Sequence, residues 1–503
     1  MNTEKRLYLN TITALANQVV LLITGFVIPR LIIEHYGSDV NGIVNSIKQF
    51  LQIIAFLELG VGAVVQSSLY SPIANNNFHQ VSAVMTSGVK FFRKIGFILF
   101  VYVVILCFLF PNMGNNNHSS IYSITLILAI SISYFAQYYF GLMDSFFLTA
   151  TQKGYIVYFL QIITMILGAI ITVLCIEFDF SIQVVQLSVS IIYLMRPFFM
   201  RMYLNKHYKI NRHLKYKTEP IKQKWNGIAQ HIAAVCLDST DIVVLTIFSN
   251  YLTVSVYSVY SLVVSGVRAI ITSATQGVMA LLGEYWAKKQ DNKLNATFEY
   301  FEWLINALAV LGWSCTLVLI VPFVKVYIGH VTDYKYYVQP MFAIIITLAY
   351  AFHTLRLPYN VMILAGGKYK ETQSIYIWST IINIFLSVFL VIKLGLIGVA
   401  IGTLLSMLYQ TVQMANYVYR QLLRKEIKIF VKQIIFDVLI FTMIVMINMS
   451  IISDINNYLQ WILNALITFL VSFIIVVIAN LIFYKKNMKR LQMKIFNKRM
   501  AKK

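Results

Sequence analysis

Apolar residues fill this chain in long continuous runs, not in alternation. Each run covers roughly 20 residues or more, the length that carries an α-helix across a bilayer. Short polar turns separate the runs, among them "SPIANNNFHQVSAV" (71–84) and "PNMGNNNHSS" (111–120). The pattern predicts about fourteen helices. They fall at 8–33, 41–69, 88–110, 120–148, 155–176, 181–204, 225–249, 252–282, 300–324, 338–364, 372–392, 395–419, 430–452 and 460–484. Lipid-facing strands would alternate with period two, and these runs do not. The expectation is an all-α polytopic membrane protein.

Composition agrees: 59% of residues are hydrophobic and 12% charged, against about 45–50% and about 25% in soluble domains. The first run, from Tyr8 to Ile33, is too long for a signal-peptide core, and no small-residue cleavage site follows it. It reads as an uncleaved first span. Cys107, Cys175, Cys236 and Cys315 all fall within predicted spans, and none has CxxC spacing. They read as small packing residues. No metal and no cofactor is expected.

Charge orients the chain. One set of loops carries Lys5 and Arg6; Lys90, Arg93 and Lys94; Lys153; eight cations between Arg201 and Lys224; Lys288, Lys289 and Lys293; Lys368 and Lys370; Arg420, Arg424, Lys425 and Lys428; and the tail from Lys485. The opposite set is nearly bare, holding only Lys325, Lys335 and Lys393. The positive-inside rule then puts both termini in the cytoplasm with an even number of spans. It also accounts for the net charge of +22. Cations that flank membrane spans do not form a nucleic-acid surface, so no nucleic-acid partner is expected. The tail "KKNMKRLQMKIFNKRMAKK" (485–503) fits either an anionic-lipid clamp or a plain topology anchor.

The chain repeats itself. "LTATQKGYIVYFLQIITMIL" (148–167) resembles "ILAGGKYKETQSIYIWSTII" (363–382), with Lys153 mapping onto Lys368, 215 positions later. The same offset brings 71–84 near "YWAKKQDNKLNATF" (285–298) and sets the outer turn at Asp179 onto Leu394. A six-span unit is even, so both copies enter the bilayer in the same direction. Two six-helix bundles related by a pseudo-twofold axis along the membrane normal follow. The predicted organisation is a bundle at 1–204, a basic linker at 205–224, a second bundle at 225–420, two extra spans at 421–484 and a basic tail at 485–503.

Charged and amide side chains lie inside these spans. At about 100° per residue, Asn41, Asn45, Lys48, Gln52 and Gln66 fall within about 60° of one another, and Glu58 is offset by about 80°. In the first span Asn10, Thr13, Asn17 and Thr24 share a side, and Arg30 follows Pro29. An ionisable group at mid-depth costs about 2.5–3.5 kcal/mol or more, so these faces should line water or another polar surface. Arg268 lies mid-span, and Arg356 precedes Pro358 at an expected kink. Guanidinium groups hold phosphate oxygens bidentately and lysine adds a point charge. Arg30, Lys48, Arg268 and Arg356, with Asn41, Asn45 and Gln52, are therefore candidates for binding an anionic substrate. Snorkelling of Arg30 and a structural ion pair for Lys48 are the plainer alternatives. Glu58, Asp144, Asp238 and Asp241 are candidates for carrying a coupling ion, H+ or Na+, with salt-bridge roles as the alternative. His231 and His353 read as hydrogen-bonded interior residues.

One stretch carries a family resemblance: "ANQVVLLITGFVIPRLIIEHYGSDVNGIVNSIKQFLQIIAFLELGVGAVVQSSLY" (16–70). Asn17, Pro29 and Arg30, Tyr36 and Gly37, Asn41 and Gly42, and the run from Leu57 to Gly62 resemble the N-terminal region of Wzx-type polysaccharide exporters. These belong to the MOP superfamily, with lipid II flippases and MATE drug exporters. The resemblance implies two six-span bundles, two extra C-terminal spans and a bacterial cytoplasmic-membrane location. It implies a flippase for polyprenyl-diphosphate-linked oligosaccharide, working by alternating access, ion-coupled and expected to be a monomer among membrane lipids. The family's cationic lumen looks similar to the set of Arg30, Lys48, Arg268 and Arg356. A lipid II flippase and a MATE-like small-molecule antiporter remain the alternatives; the extra spans and the basic cleft count against the antiporter. A membrane polymerase or ligase would need a charged outer catalytic loop. The outward loops here are short and almost uncharged, with no HExxH motif or phosphate-cradling glycine loop. No enzymatic activity is expected.

Overall fold

The computed structural model describes residues 3–54, 59–114, 118–212, 214–216, 218–221, 239–273, 275–329, 331–452 and 455–500. Helices account for nearly all of the ordered backbone, and no strand occurs among the described residues. Twelve helices among the described residues are long and apolar enough to cross a membrane. The second predicted span is divided in two, and the seventh is described only as a short apolar helix, Ser239–Phe248. Those two elements account for the difference from fourteen.

The chain forms two compact units, Met1–Ser258 and Val259–Lys503. In the first, α1 (Thr3–Tyr36) is followed by α2 (Ser38–Gln52) and α3 (Leu59–Ala74), then α4 (Phe78–Leu109). Next come α5 (Ser120–Ala136), a π-helical turn at Gln137–Gly141, α6 (Leu142–Ala150), α7 (Gly154–Glu177), α8 (Ile182–His207) and α9 (Ser239–Phe248). The core joins Ile43, Ile47 and Leu51 of α2 to Phe92 and Leu99 of α4, Ile127 of α5 and Phe147 of α6. Helix α10 (Tyr251–Ser273) begins in this unit.

The second unit continues with α11 (Gln276–Ala287), α12 (Asp291–Ile328), α13 (Tyr334–Tyr337), α14 (Pro340–Leu355) and α15 (Leu357–Ala365). It ends with α16 (Tyr369–Leu394), α17 (Leu396–Tyr417) running into a π-helical turn at Val418–Leu422, α18 (Lys428–Ile451), α19 (Tyr458–Phe483) and the basic α20 (Lys485–Met500).

Helix ends repeat along the chain. Left-handed residues close turns at Asn76, Gly114, Gln152 and Asp179, and again at Lys289, Gly329, Gly367 and Gly395. Matched positions stand 213 to 216 residues apart. Such residues stop a helix by turning its last carbonyls onto following N–H groups. The two series therefore mark the same succession of stops in each unit.

Within a bilayer, burial of apolar surface does not itself drive helices together; close packing and interhelical hydrogen bonds do. Gly42 shows this. A Cβ there would land on the carbonyl oxygen of Tyr251, so only glycine lets α2 meet the start of α10. Beside it Asn41 Nδ2 donates to Ser255 Oγ at 2.7 Å, and Ser46 Oγ meets Thr246 Oγ1 at 2.7 Å. In the second unit Gly398 and Gly402, four residues apart on α17, meet Leu390 and Ser387 of α16. Outward residues such as Phe385, Phe389, Leu439 and Leu470 are exposed, as lipid-facing positions should be.

Candidate functional site

Helix α2 stops at Gln52, and carbonyls of its last turns accept further hydrogen bonds from outside the helix. Tyrosines from neighbouring helices serve two of them: Tyr102 OH donates to Phe50 O at 3.1 Å and Tyr134 OH to Lys48 O at 3.4 Å. This anchors the end of α2 and turns Lys48 toward a cavity enclosed by α5, α7 and α8.

That cavity measures about 410 Å³. Its polar wall combines Lys48, Gln137, Gln161, Gln186, Tyr193 and Arg196 with several serine and threonine hydroxyls. No aspartate or glutamate is among its described lining residues. Arg196 stands near the middle of α8, just before Pro197. Its guanidinium carbon lies 4.0 Å from the centre of the Tyr193 ring, and its Nε donates to Thr164 Oγ1 at 2.5 Å. Thr164 takes the Nε–H and Tyr193 takes one face and a further hydrogen bond, and the remaining N–H donors of the guanidinium suit an oxyanion. A cavity with two cations, three glutamines and hydroxyls, and no lining acid, suits a negatively charged, hydrogen-bonding ligand.

The other predicted candidates have different surroundings. Arg30 pairs with Glu34 one turn later, Nε to Oε1 at 2.7 Å, with both side chains a third or more exposed. Asn41 is almost completely buried against Ser255, and Asn45 donates to Asn41 O at 2.9 Å. Gln52 is exposed. The amide stripe of α2 thus serves helix packing at Asn41, while the cavity receives Lys48 alone from that set. In the first span Asn10 reaches the start of α7: its Oδ1 accepts from Tyr155 N at 2.7 Å and its Nδ2 donates to Gln152 O at 3.1 Å.

In the second unit Arg268 lies 5.8 Å from the Tyr350 ring centre. Arg356 is buried; it donates to Gln410 Oε1 and its Nη2 lies 3.1 Å from His353 Nδ1. These two arginines and His353 belong to one network built by α10, α14 and α17, joined through Tyr350.

Of the carboxylates, Asp144 is fully buried at the start of α6. Arg212 Nη1 lies 2.7 Å from its Oδ1 and Arg201 Nε 3.7 Å from its Oδ2. Asp241 is buried and accepts from Tyr257 OH at 2.8 Å. Glu58, Asp238 and His231 lie outside the described residues. Near Asp144, Lys153 follows left-handed Gln152 and donates to Tyr203 OH at 3.1 Å. Burial pulls the Lys153 pKa down, but bonds and charge from Tyr208 and Tyr203 outweigh it and leave the pKa raised.

Sequence reasoning passed over three charged groups inside the spans, two of them buried and one half-buried. Arg196 is one; the signal was an arginine beside a mid-span proline in "YLMRPFF". Glu302 and Asp437 are the others. Glu302 sits three turns inside α12 and accepts from both Tyr359 and Tyr419, the latter 2.8 Å from Oε2. Asp437 on α18 accepts from Asn306 Nδ2 at 3.1 Å. Between α18 and α19 lies an apolar groove of about 410 Å³, lined by residues including Phe436, Leu439, Met443, Ile475 and Ile482.

No protein-family model and no curated protein matches the sequence. Solved structures do. The lipid II flippase MurJ, in an inward closed conformation, superposes with a TM-score of 0.74 at 15% identity, covering 96% of this chain and 100% of its own. An inward-facing multidrug-resistance MATE transporter of the MOP superfamily gives 0.61 at 12% identity, covering 83% and 98%. A MATE transporter of Vibrio cholerae gives 0.58 at 12% identity, covering 84% and 98%. At these identities the likeness shows the fold: this is a multi-pass, all-α membrane protein with the fold shared by MurJ and the MATE transporters.

Proposed function

We propose that the chain is a flippase of the MOP superfamily that carries a polyprenyl-diphosphate-linked oligosaccharide across a bacterial cytoplasmic membrane by alternating access. The observation that carries this reading is the cavity of the first unit, with Lys48 and Arg196 among glutamines and hydroxyls and no lining carboxylate. A diphosphate headgroup would meet Lys48 as a point charge and Arg196 as a planar fork. Sugar hydroxyls would exchange hydrogen bonds with Gln137, Gln161 and Gln186. The apolar groove between α18 and α19 would take prenyl units of the lipid. A cavity with this charge disfavours a cationic drug.

Lipid II is the second reading, favoured by the near-complete overlap with MurJ. It shares the polyprenyl-diphosphate chemistry, so the same residues would serve. The experiment is a flipping assay in proteoliposomes with a fluorescent polyprenyl-diphosphate oligosaccharide, with lipid II in a parallel arm. Losing two charge-assisted contacts of about 1.5–3 kcal/mol each should slow flipping by at least about 100-fold in a Lys48→Gln, Arg196→Gln double variant. Wild-type rates in that variant would remove the cavity from the function. Transport of lipid II alone would select the second reading.

A further inference from the structure

A charged helix begins where the last span ends. Helix α19 stops at Phe483 and α20 starts at Lys485, so the first turns of α20 stand at the surface of the bilayer that α19 crosses. From Lys485 to Lys503 the sequence holds nine Lys and Arg residues and no Asp or Glu. A topology anchor needs only that charge, in any conformation. Here the charge has a fixed one.

Arg490 holds α20 against the start of α12. Its Nη1 donates to Ala296 O at 2.7 Å, and its guanidinium carbon lies 5.1 Å from the centre of the Tyr300 ring. Tyr484, at the turn into α20, has its ring centre 5.3 Å from that of Phe436 on α18. Asn487, Met488, Arg490 and Leu491 are half-buried, whereas Lys485, Lys486, Lys489, Gln492 and Met493 are exposed. At about 100° per residue the exposed five fall within about 120° of one another. Helix α20 therefore has an inner face given to the protein and an outer face with three lysines and a methionine. Lys432, one turn before Phe436 on α18, is also exposed and adds a fourth cation at this end of the unit. None of these four lysines is ion-paired with an acid among the described residues.

The make-up of that face narrows the partner. A soluble polyanion would use the charge alone and leave Met493, 60% exposed, without a role. A bilayer surface uses both: lipid phosphates meet the ammonium groups, and the methionine enters the boundary between headgroups and acyl chains. Lysine stems can lie along apolar surface while their heads reach phosphate. Clusters of about four to eight Lys or Arg beside a span attract anionic lipid, at roughly fivefold per residue.

We propose that the outer face of α20, with Lys432, is a docking surface for anionic phospholipid headgroups of the leaflet in which α19 ends. Lipid bound there would hold α20 in the geometry that Arg490 sets.

The test is native mass spectrometry of the purified full-length chain in detergent, titrated with phosphatidylglycerol or with zwitterionic phosphatidylcholine of the same acyl chains. Phosphatidylglycerol is expected to bind at least about tenfold tighter, and a Lys485→Gln, Lys486→Gln, Lys489→Gln variant should lose that preference. If this variant elutes as aggregate, Lys489→Gln alone should weaken phosphatidylglycerol binding by about fivefold. A charge-matched control, Lys289→Gln, Lys293→Gln, Lys370→Gln, should keep the preference. Equal binding of the two lipids by the wild type, or a preference retained in the α20 variants, would overturn the surface. Equal loss in the control would overturn it too, by making net charge the cause. Inorganic phosphate that displaces phosphatidylglycerol at the lipid's own concentration would overturn the bilayer partner, because a free anion would then suffice. No outcome depends on flipping, so each stands whether or not the flippase reading holds.

Discussion

The cavity beside Lys48 and the seam beside Asp437 treat buried charge in opposite ways. The first gathers cations, Lys48 and Arg196, with no acid among its described lining residues. The second gathers acids, Asp437 and nearby Glu302, which accept from an amide and from tyrosine hydroxyls. The first is about 410 Å³ and the second about 10 Å³. Size and sign together separate the two places. Asp144 gives the reference case: a buried acid paired directly with Arg212 and, at longer range, with Arg201. Unanswered charge inside a membrane protein is costly, which makes the two unbalanced places the ones to probe.

The comparison breaks most readily by reversing its sign. Lys48→Glu should stop flipping of the diphosphate-linked substrate; wild-type flipping in that variant would remove Lys48 from the cavity's function. Next in size is Asp144→Ala. It would leave two arginines facing a buried void, at a cost of about 3–5 kcal/mol. Thermal unfolding in detergent should show a clear fall in midpoint, and an unchanged midpoint would deny the pair a structural role.

Sequence and structure part company in instructive places. The apolar runs predicted the helices because period and length are local properties. Lys48 was legible because a lysine within a span is costly wherever it points. The role of Asn41 was not. A helical wheel puts it beside Lys48, but its partner, Ser255, lies 214 positions away. Glu302 was not singled out: hydropathy starts its span near 300, whereas the helix starts at Asp291 and places it three turns inside. Asp437 had no charged neighbour in sequence, and its partner Asn306 is 131 positions distant. Arg196 lies eight residues inside its predicted span, beside the cations of the following loop, and the sequence reading did not single it out.

A smaller effect sharpens the seam. Trp303→Phe removes the donor to Asn480 Oδ1 and should cost about 1–3 kcal/mol through the unpaired buried carbonyl. An unchanged unfolding midpoint in detergent would deny the Trp303–Asn480 bond a structural role. The smallest effect is expected at Arg30. Its pair with Glu34 is a third or more exposed, so Arg30→Gln should change stability by about 0.5 kcal/mol or less. A flipping rate that falls more than about threefold would promote Arg30 from helix anchor to substrate contact.

The central claim is that an anion enters the cavity of the first unit. Photo-crosslinking addresses it directly, using a short-chain prenyl diphosphate with a photoreactive group near the phosphates and peptide mapping of the purified chain. The account predicts adducts on α2, the π-helical turn after α5, and α8, around Lys48, Gln137 and Arg196, lost on competition with inorganic diphosphate and in the Lys48→Gln, Arg196→Gln variant. Adducts confined to other helices, or undiminished in that variant, would contradict it.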